Sequence, residues 1–449
     1  TKRKALRYGL KKQEENLFNK RKGIATNMKL LRSVLAVGFA MTPWLGGDAL
    51  AAGQGIVRVD GATGVPQSYL QNGANTAEIF AEQASKNTGL NRFKYFDVGA
   101  GQIANLYFQK QGDNTALNTL VNTVENQISI SGTVNAVRNN KIGGNLYFLS
   151  PKGMVVGAEG VINAGALTVI TSDATFDKPE DAAAKILENK WSLDPKAKIE
   201  INGKINTATG IDLRAAYIDL VKANDAVAAP SLKTGVVFKS IVNMPDGGTI
   251  DYTADGRLTA TKDSNGNIVI LDPSSDTSNN LFGDGSIKLI ASSNKNNAET
   301  ELWGKRCDNT VEAIVNIGQG AKVDALGNVN VSATATRDNN NTVVEFWDMM
   351  AFSRANVNID GDITGNNVNV SANATSYYEA HNAKDIFVAG SRLVNRAGEA
   401  VLGDAADVIN INEGLATALY EKLLESGVVN GKREHITNFC NFFEQLYMP

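Results

Sequence analysis

Val329-Asn330-Val331-Ser332-Ala333 and Val368-Asn369-Val370-Ser371-Ala372 spell one pattern twice: apolar, polar, apolar, any residue, alanine. It returns as Ile211-Asp212-Leu213-Arg214-Ala215 and as Ile287-Lys288-Leu289-Ile290-Ala291. A companion template (apolar, polar, apolar, any residue, Gly, any residue, apolar) fits Ile128-Ser129-Ile130-Ser131-Gly132-Thr133-Val134, and it fits Ile199-Glu200-Ile201-Asn202-Gly203-Lys204-Ile205. Val357-Asn358-Ile359-Asp360-Gly361-Asp362-Ile363 is a further copy, and Val315-Asn316-Ile317 opens a looser one. Alternation with period two gives each segment one apolar and one polar side, so these are strands, with Val329, Val331 and Ala333 on one face. Each runs only about three to five residues before a Gly, Asn or Asp, too short for a self-sufficient hairpin sheet. Stacking like on like at roughly 4.8 Å satisfies the backbone and buries a continuous file of Val, Ile and Leu. The expected fold is therefore all-β: a right-handed parallel β-helix, or solenoid, with short helical excursions. Copies about forty residues apart are read as two coils of about twenty residues each.

Asn-rich stretches, Asn294-Lys295-Asn296-Asn297 and Asn339-Asn340-Asn341, punctuate the strands. Asparagine tolerates left-handed backbone and can ladder between stacked turns. Two segments leave the period-two pattern for a helical one: Glu180 to Trp191, and Gly414 to Ser426 with Leu415, Leu419 and Leu423 at helical spacing. Both are expected to pack on the flank of the repeat or to cap it. Asp263-Ser264-Asn265-Gly266-Asn267 reads as a hairpin turn.

The first residues differ from the rest. Eleven Lys and Arg fall within residues 1–32 against only Glu14 and Glu15, and Ser33 to Leu45 (SVLAVGFAMTPWL) is then apolar but too short to span a bilayer. Ala49-Leu50-Ala51 follows. A basic segment, a short apolar segment and an Ala-x-Ala site make an extended signal peptide, residues 1–51, cleaved after Ala51 with Ala49 and Ala51 as the small residues of the site. Without it the chain keeps 33 basic and 44 acidic side chains, a formal charge of −11, which makes nucleic acid a poor partner.

Chemistry-bearing residues are sparse. His381 and His435 are the only histidines, and Cys307 and Cys440 the only cysteines, at no metal or redox spacing. Asp360 and Asp362 flank Gly361, but the equivalent residues in other copies are Asn202 and Lys204, or Ser131 and Thr133, so a turn explains the pair. The same run lacks the downstream Glu of a calcium loop. Trp303, Phe346, Trp347, Tyr377 and Tyr378 follow the polar turns, where packing beneath loops competes with a binding stripe. No catalytic residue, no metal ligand and no cofactor is expected, and the chain is read as not an enzyme.

Three ordered stretches carry a family resemblance: NRFKYFDVGAGQIANLYF (Asn91 to Phe108), LVNTVENQISISGTV (Leu120 to Val134) and GGNLYFLSPKGMVVGAEGVINAGALTVIT (Gly143 to Thr171). Together they resemble the N-terminal secretion domain of filamentous haemagglutinins, most closely the leukotoxin-type filamentous adhesin branch. The resemblance covers residues 52–225 and implies export by two-partner secretion. The implied partner is an outer-membrane barrel transporter with periplasmic recognition modules. It implies secretion-motif positions at Asn91, Phe93, Asn105, Leu106 and Ser150-Pro151-Lys152-Gly153. Where many relatives have Asn-Pro-Asn-Gly, this chain keeps only the Pro and Gly.

The expected organisation is a signal peptide at 1–51, a secretion domain at 52–225, a β-helix shaft with insertions at 226–431 and an atypical tail at 432–449. The expected function is that of a secreted adhesin of a Gram-negative-type cell surface, reached through the periplasm, which meets a host or bacterial surface receptor. The alternatives are a cytotoxin (leukotoxin) of the same export class and a polysaccharide-processing β-helix enzyme.

Overall fold

The structure is a computed structural model that describes residues 54–62, 64–71, 73–223, 226, 228–242, 250–257, 259–262, 268–271, 283–296, 311–338, 353–375, 382–388 and 393–395. The expected signal peptide with Ala49 and Ala51, the Gly414–Ser426 helix and the 432–449 tail lie outside the described residues. So do both cysteines, both histidines, the Asn265-Gly266 turn, Asn339 to Asn341 and the aromatics Trp303, Phe346, Trp347, Tyr377 and Tyr378.

The described chain is mostly β-structure, with 26 strands joined in one large sheet that is predominantly parallel. Its parallel pairings fall into three ladders. The first takes the start of Thr88–Val98, then Thr119–Val124, Asn145–Leu149 and the second halves of Val161–Ile170 and Lys204–Ala215. It continues through Ser286–Asn296, Val329–Asp338 and Val368–Thr375. The second takes the end of Thr88–Val98, then Ile128–Ile130, Met154–Val156, Lys198–Ile201 and Tyr217–Leu220. It ends with Val311–Ile317, Ser353–Ile359 and Asn382–Val388. The third runs from Thr76–Phe80 through Ile103–Tyr107, Thr133–Arg138 and the first halves of Val161–Ile170 and Lys204–Ala215. Ser231–Lys233, Lys322–Asp324, Asp362–Gly365 and Leu393–Asn395 complete it. The chain visits the ladders in the fixed order third, first, second.

The repeat read from the sequence is the register of these ladders. Ala215, Ala291, Ala333 and Ala372 are paired partners in successive rungs, as are Ile130, Val156, Ile201, Leu220, Ile317 and Ile359. Ile287, Leu289, Val329 and Val331 are at most 1 % exposed, while Lys288 and Asn369 are exposed. Val370, on the same face, is only partly buried. The template's Gly marks the corner between the second and third ladders. A Cβ on Gly132 would come 2.3 Å from the Gly99 and Gln102 carbonyls, and one on Gly203 would come 2.3 Å from those of Gly157 and Gly160. Only a residue without a side chain lets the corners stack that closely.

One expectation is corrected. Val329 pairs directly with Val368 and Asn369 bonds Asn330 across 39 positions, so a forty-residue interval is one rung and not two. The additional residues include 297–310 and 339–352, which lie outside the described residues, and the pattern alone gave no way to separate a long turn from two short ones.

A single apolar core runs between the ladders from Ile56 to Ala374, on both sides of residue 225. At its N-terminal end the pairing changes to antiparallel: Ile56–Arg58 pairs with Ser68–Tyr69 and with Thr88–Val98, and Gln83–Ser85 pairs with Thr88–Val98. Two further antiparallel pairs, Val236–Val242 with Ile250–Arg257 and Thr259–Lys262 with Ile268–Leu271, form separate small sheets. The second of these flanks the expected Asn265-Gly266 turn. The expected helix at Glu180 is helix α1, Pro179–Glu188. Pro in its first turn sets the start, and Asn189 in the left-handed region (φ 53°) ends it before Trp191, its N–H donating to the Lys185 carbonyl. Ala182 packs with Leu90, Val121, Leu149 and Ile170, residues of the first ladder outside the main core. Among the described residues no helix is long and apolar enough to cross a membrane.

Candidate functional site

The positions singled out by the resemblance fall at the N-terminal end of the ladders, and most of them are inside the protein. Asn91, Phe93, Asn105 and Leu106 are each no more than 1 % exposed, and Ser150 is buried as well. Pro151 is half-buried and Lys152 is exposed.

Asn91 lies on the core side of the first ladder. Its Oδ1 accepts from Arg58 Nη1 at 3.0 Å and from the Glu82 backbone N–H at 2.9 Å. Its Nδ2 donates to Asn122 Oδ1 at 2.9 Å, and Asn122 in turn donates to the Tyr147 carbonyl at 3.0 Å. Two stacked side-chain amides thus tie the antiparallel end strand to the first three rungs. Sequence reasoning missed Arg58 and Glu82. The signal was available: in Ile56-Val57-Arg58, period two puts Arg58 on the same side as the fully buried Ile56. Arg58 also donates to the Phe80 carbonyl at 3.0 Å, and its guanidinium carbon stands 4.9 Å from the centre of the Phe93 ring. Glu82 Oε2 is 3.6 Å from Arg58 Nη1, while Arg92 grips the same carboxylate through Nε and Nη2. Arg92 is held above its ordinary pKa first by its hydrogen bond to Glu82, against the opposing effect of burial. Its other nitrogen is 3.8 Å from Asp177, just before α1. Phe93 meets Phe96 edge to face at 5.3 Å, and Phe96 meets Phe148 at 5.0 Å.

Asn105 belongs to a separate network on the third ladder, on the side away from Ala104 and Leu106. Asn206, Asn163, Asn135 and Asn105 are partners in successive rungs. Each Nδ2 donates to the Oδ1 one rung earlier, at 3.2, 2.9 and 2.9 Å, and Asn105 Nδ2 donates to Glu78 Oε1 at 3.0 Å. The structure therefore joins Phe93 and Leu106 in one core but does not bring Asn91 and Asn105 into one site.

The Ser150–Gly153 segment is a tight turn closed by the Gly153 N–H donating to the Ser150 carbonyl at 3.2 Å. Ser150 Oγ donates to the Asn126 carbonyl at 2.7 Å and accepts from the Lys152 N–H at 3.2 Å. Serine thereby performs the local capping that an asparagine side chain can provide in such a turn. Gly153 has φ 83°, and a Cβ there would lie 2.0 Å from the Lys198 carbonyl. The turn is wedged between the rungs on either side.

Chemically these groups hold position. Glu82 is 3 % exposed and committed to two guanidinium groups. Among the described residues no group of three His, Cys, Asp or Glu could hold a metal ion. Asp360 and Asp362 are exposed at the glycine corner. Compared with protein-family models and with curated proteins, the chain matches none of them.

Proposed function

We propose that the chain is a right-handed parallel β-helix whose first part, residues 52–225, is the export module of a two-partner secretion system, and whose later rungs begin the shaft of a secreted adhesin. The observation that carries the proposal is the fixed visiting order of the ladders, with like residues in register around one core. A strand that returns to the same ladder after passing through two others generates a solenoid. The three stretches that resemble the filamentous haemagglutinin secretion domain occupy consecutive rungs beginning at the antiparallel end. That end covers the backbone edge a solenoid would otherwise leave open. The partner in this reading is a barrel transporter with periplasmic recognition modules, and the destination is the cell surface, where a host or bacterial receptor is met.

The test is export. Residues 1–225 are produced in a Gram-negative host with and without a two-partner outer-membrane transporter, and the medium is assayed. Release only with the transporter, as a product beginning after Ala51, is expected. Equal release without it removes the export reading.

A further inference from the structure

On the outer side of the third ladder, Phe80, Tyr107 and Val137 are partners in the first three rungs, and the rings of Phe80 and Tyr107 stack with centres 4.7 Å apart. After Arg138 the chain reverses through Asn139 and Asn140, both left-handed (φ 54° and 58°), so that Ile142 pairs with Val137. These residues make an apolar patch on the outside of the early rungs, yet Val137 is 2 % and Ile142 7 % exposed. What packs on them, together with Tyr107, is Phe238.

Phe238 comes from much later in the chain. Its strand, Val236–Val242, follows the sixth strand of the third ladder, Ser231–Lys233, whereas Val137 stands in the third. Three rungs at about 4.8 Å span about 14 Å, and the five residues from Lys233 to Phe238 reach about 16 Å when extended. The strand therefore runs back lengthwise over earlier rungs instead of joining a ladder. Its departure is pinned: the Thr234 N–H donates to the Asp324 carbonyl and the Gly235 N–H to the Ala208 carbonyl, each at 3.0 Å, with Gly235 at φ 73°. On the way Val237 packs on Ala208 and Leu326. The strand pairs with Ile250–Arg257 in a small sheet separate from the large one, so side-chain packing is what seats Phe238 on the patch. From this we propose that Val236–Val242 is a strap, which closes on the apolar patch after the early rungs have formed and can open without disturbing the ladders. In a chain made N-terminus first, Tyr107, Val137 and Ile142 are in place before Phe238 can reach them. The patch is thus bare in an unfinished chain and covered in a finished one. This inference is independent of the export reading.

The experiment is limited trypsin digestion of the full chain. Lys141 lies beside the patch and Lys322 in a later strand of the same ladder; both are exposed and precede a buried aliphatic residue, Ile142 or Val323. Phe238→Asp is expected to speed cleavage after Lys141 about tenfold and to leave the rate after Lys322 unchanged, because only local opening is made easier. Phe238→Leu, which keeps an apolar side chain, is expected to stay within about twofold of the parent. Amide exchange of the parent chain needs no variant: the amides of Val236–Val242 are expected to exchange at least about a hundredfold faster than those of Lys204–Ala215. An unchanged rate at Lys141 shows that Phe238 does not guard the patch. Equal acceleration at Lys141 and Lys322, failure of Phe238→Asp to fold, or strap amides as slow as those of Lys204–Ala215 makes Phe238 an ordinary part of the core. Each of these results overturns the proposal.

Discussion

The rungs up to Ile170 and the rungs from Ser286 onward use the same ladders in different ways. The early rungs hold bulky, non-repeating residues such as Phe93, Phe96, Leu106 and Phe148, together with a buried ionic cluster and an outer face covered by α1. The later rungs stack Val on Val and Ala on Ala, with polar residues outside. The repeat can be extended indefinitely by the same few choices, but nothing in it says where to begin. The early rungs supply that information: a charge or amide buried in one place has satisfying partners in one register only.

Breaking the comparison at its strongest point means removing Glu82. Its loss leaves Arg58 buried without its carboxylate, so Glu82→Ala is expected to cost about 3 to 5 kcal/mol by urea denaturation. Replacing Arg58 with Met in the same chain is expected to return a large part of that loss, because no uncompensated charge then remains. If the double variant is no better than Glu82→Ala, the two residues do not act as a pair.

Asparagine ladders sharpen the contrast, since both regions have them. Asn135 is fully buried, and changing it to Ala deprives Asn105 Oδ1 of a donor and Asn163 Nδ2 of an acceptor, a loss of about 2 to 3 kcal/mol. Asn369 makes the equivalent contact to Asn330 on the exposed face, and Asn369→Ala is expected to cost less than about 0.5 kcal/mol. Equal denaturation midpoints for the two variants would show that burial does not separate the ladders.

The same division decides what the sequence revealed. The later rungs were legible because their period, their Gly corner and their Ala position are local signals that recur: the spacing of the apolar residues alone aligns Ala291, Ala333 and Ala372, and the strands pair them in that register. Rung length was not, since residues outside the pattern do not declare whether they form a turn or leave the ladder. In the early rungs the resemblance marked Asn91 and Asn105 but not their roles, because Asn91 takes its partners from Arg58, the Glu82 backbone N–H and Asn122, which only the fold brings together. An Asn on the outer side of a strand is ordinarily solvated. Asn105 is buried because its neighbours above and below are Asn135 and Glu78, a long-range coincidence that no window of sequence contains.

A small, pH-dependent effect is expected between the two regions, at Lys198, Glu200 and Asp219 on the second ladder. Lys198 Nζ is 2.8 Å from Glu200 and 2.7 Å from Asp219. Burial pushes the Glu200 carboxyl up, but hydrogen bonds from Lys198 and Asn202 outweigh it and hold its pKa below the ordinary value. Burial likewise opposes the charge on Lys198, and its two carboxylate partners more than restore it, so its pKa is raised. A lowered carboxylate pKa contributes stability that is complete above the unfolded-state value and disappears as pH falls through the folded one. A raised lysine pKa contributes stability that is complete below its unfolded value and is lost as pH rises through the folded one. Both contributions are therefore present near neutrality. Because Glu200 is about a third exposed and Lys198 somewhat more, solvent screening limits the pair to about 0.5 kcal/mol. Calorimetry of Glu200→Gln against the parent chain is expected to give a Tm lower by about 1 °C at neutral pH, with the gap closing once Glu200 is protonated in both states. A gap that widened on acidification would mean that Glu200 is destabilising as a carboxylate, with burial outweighing its partners.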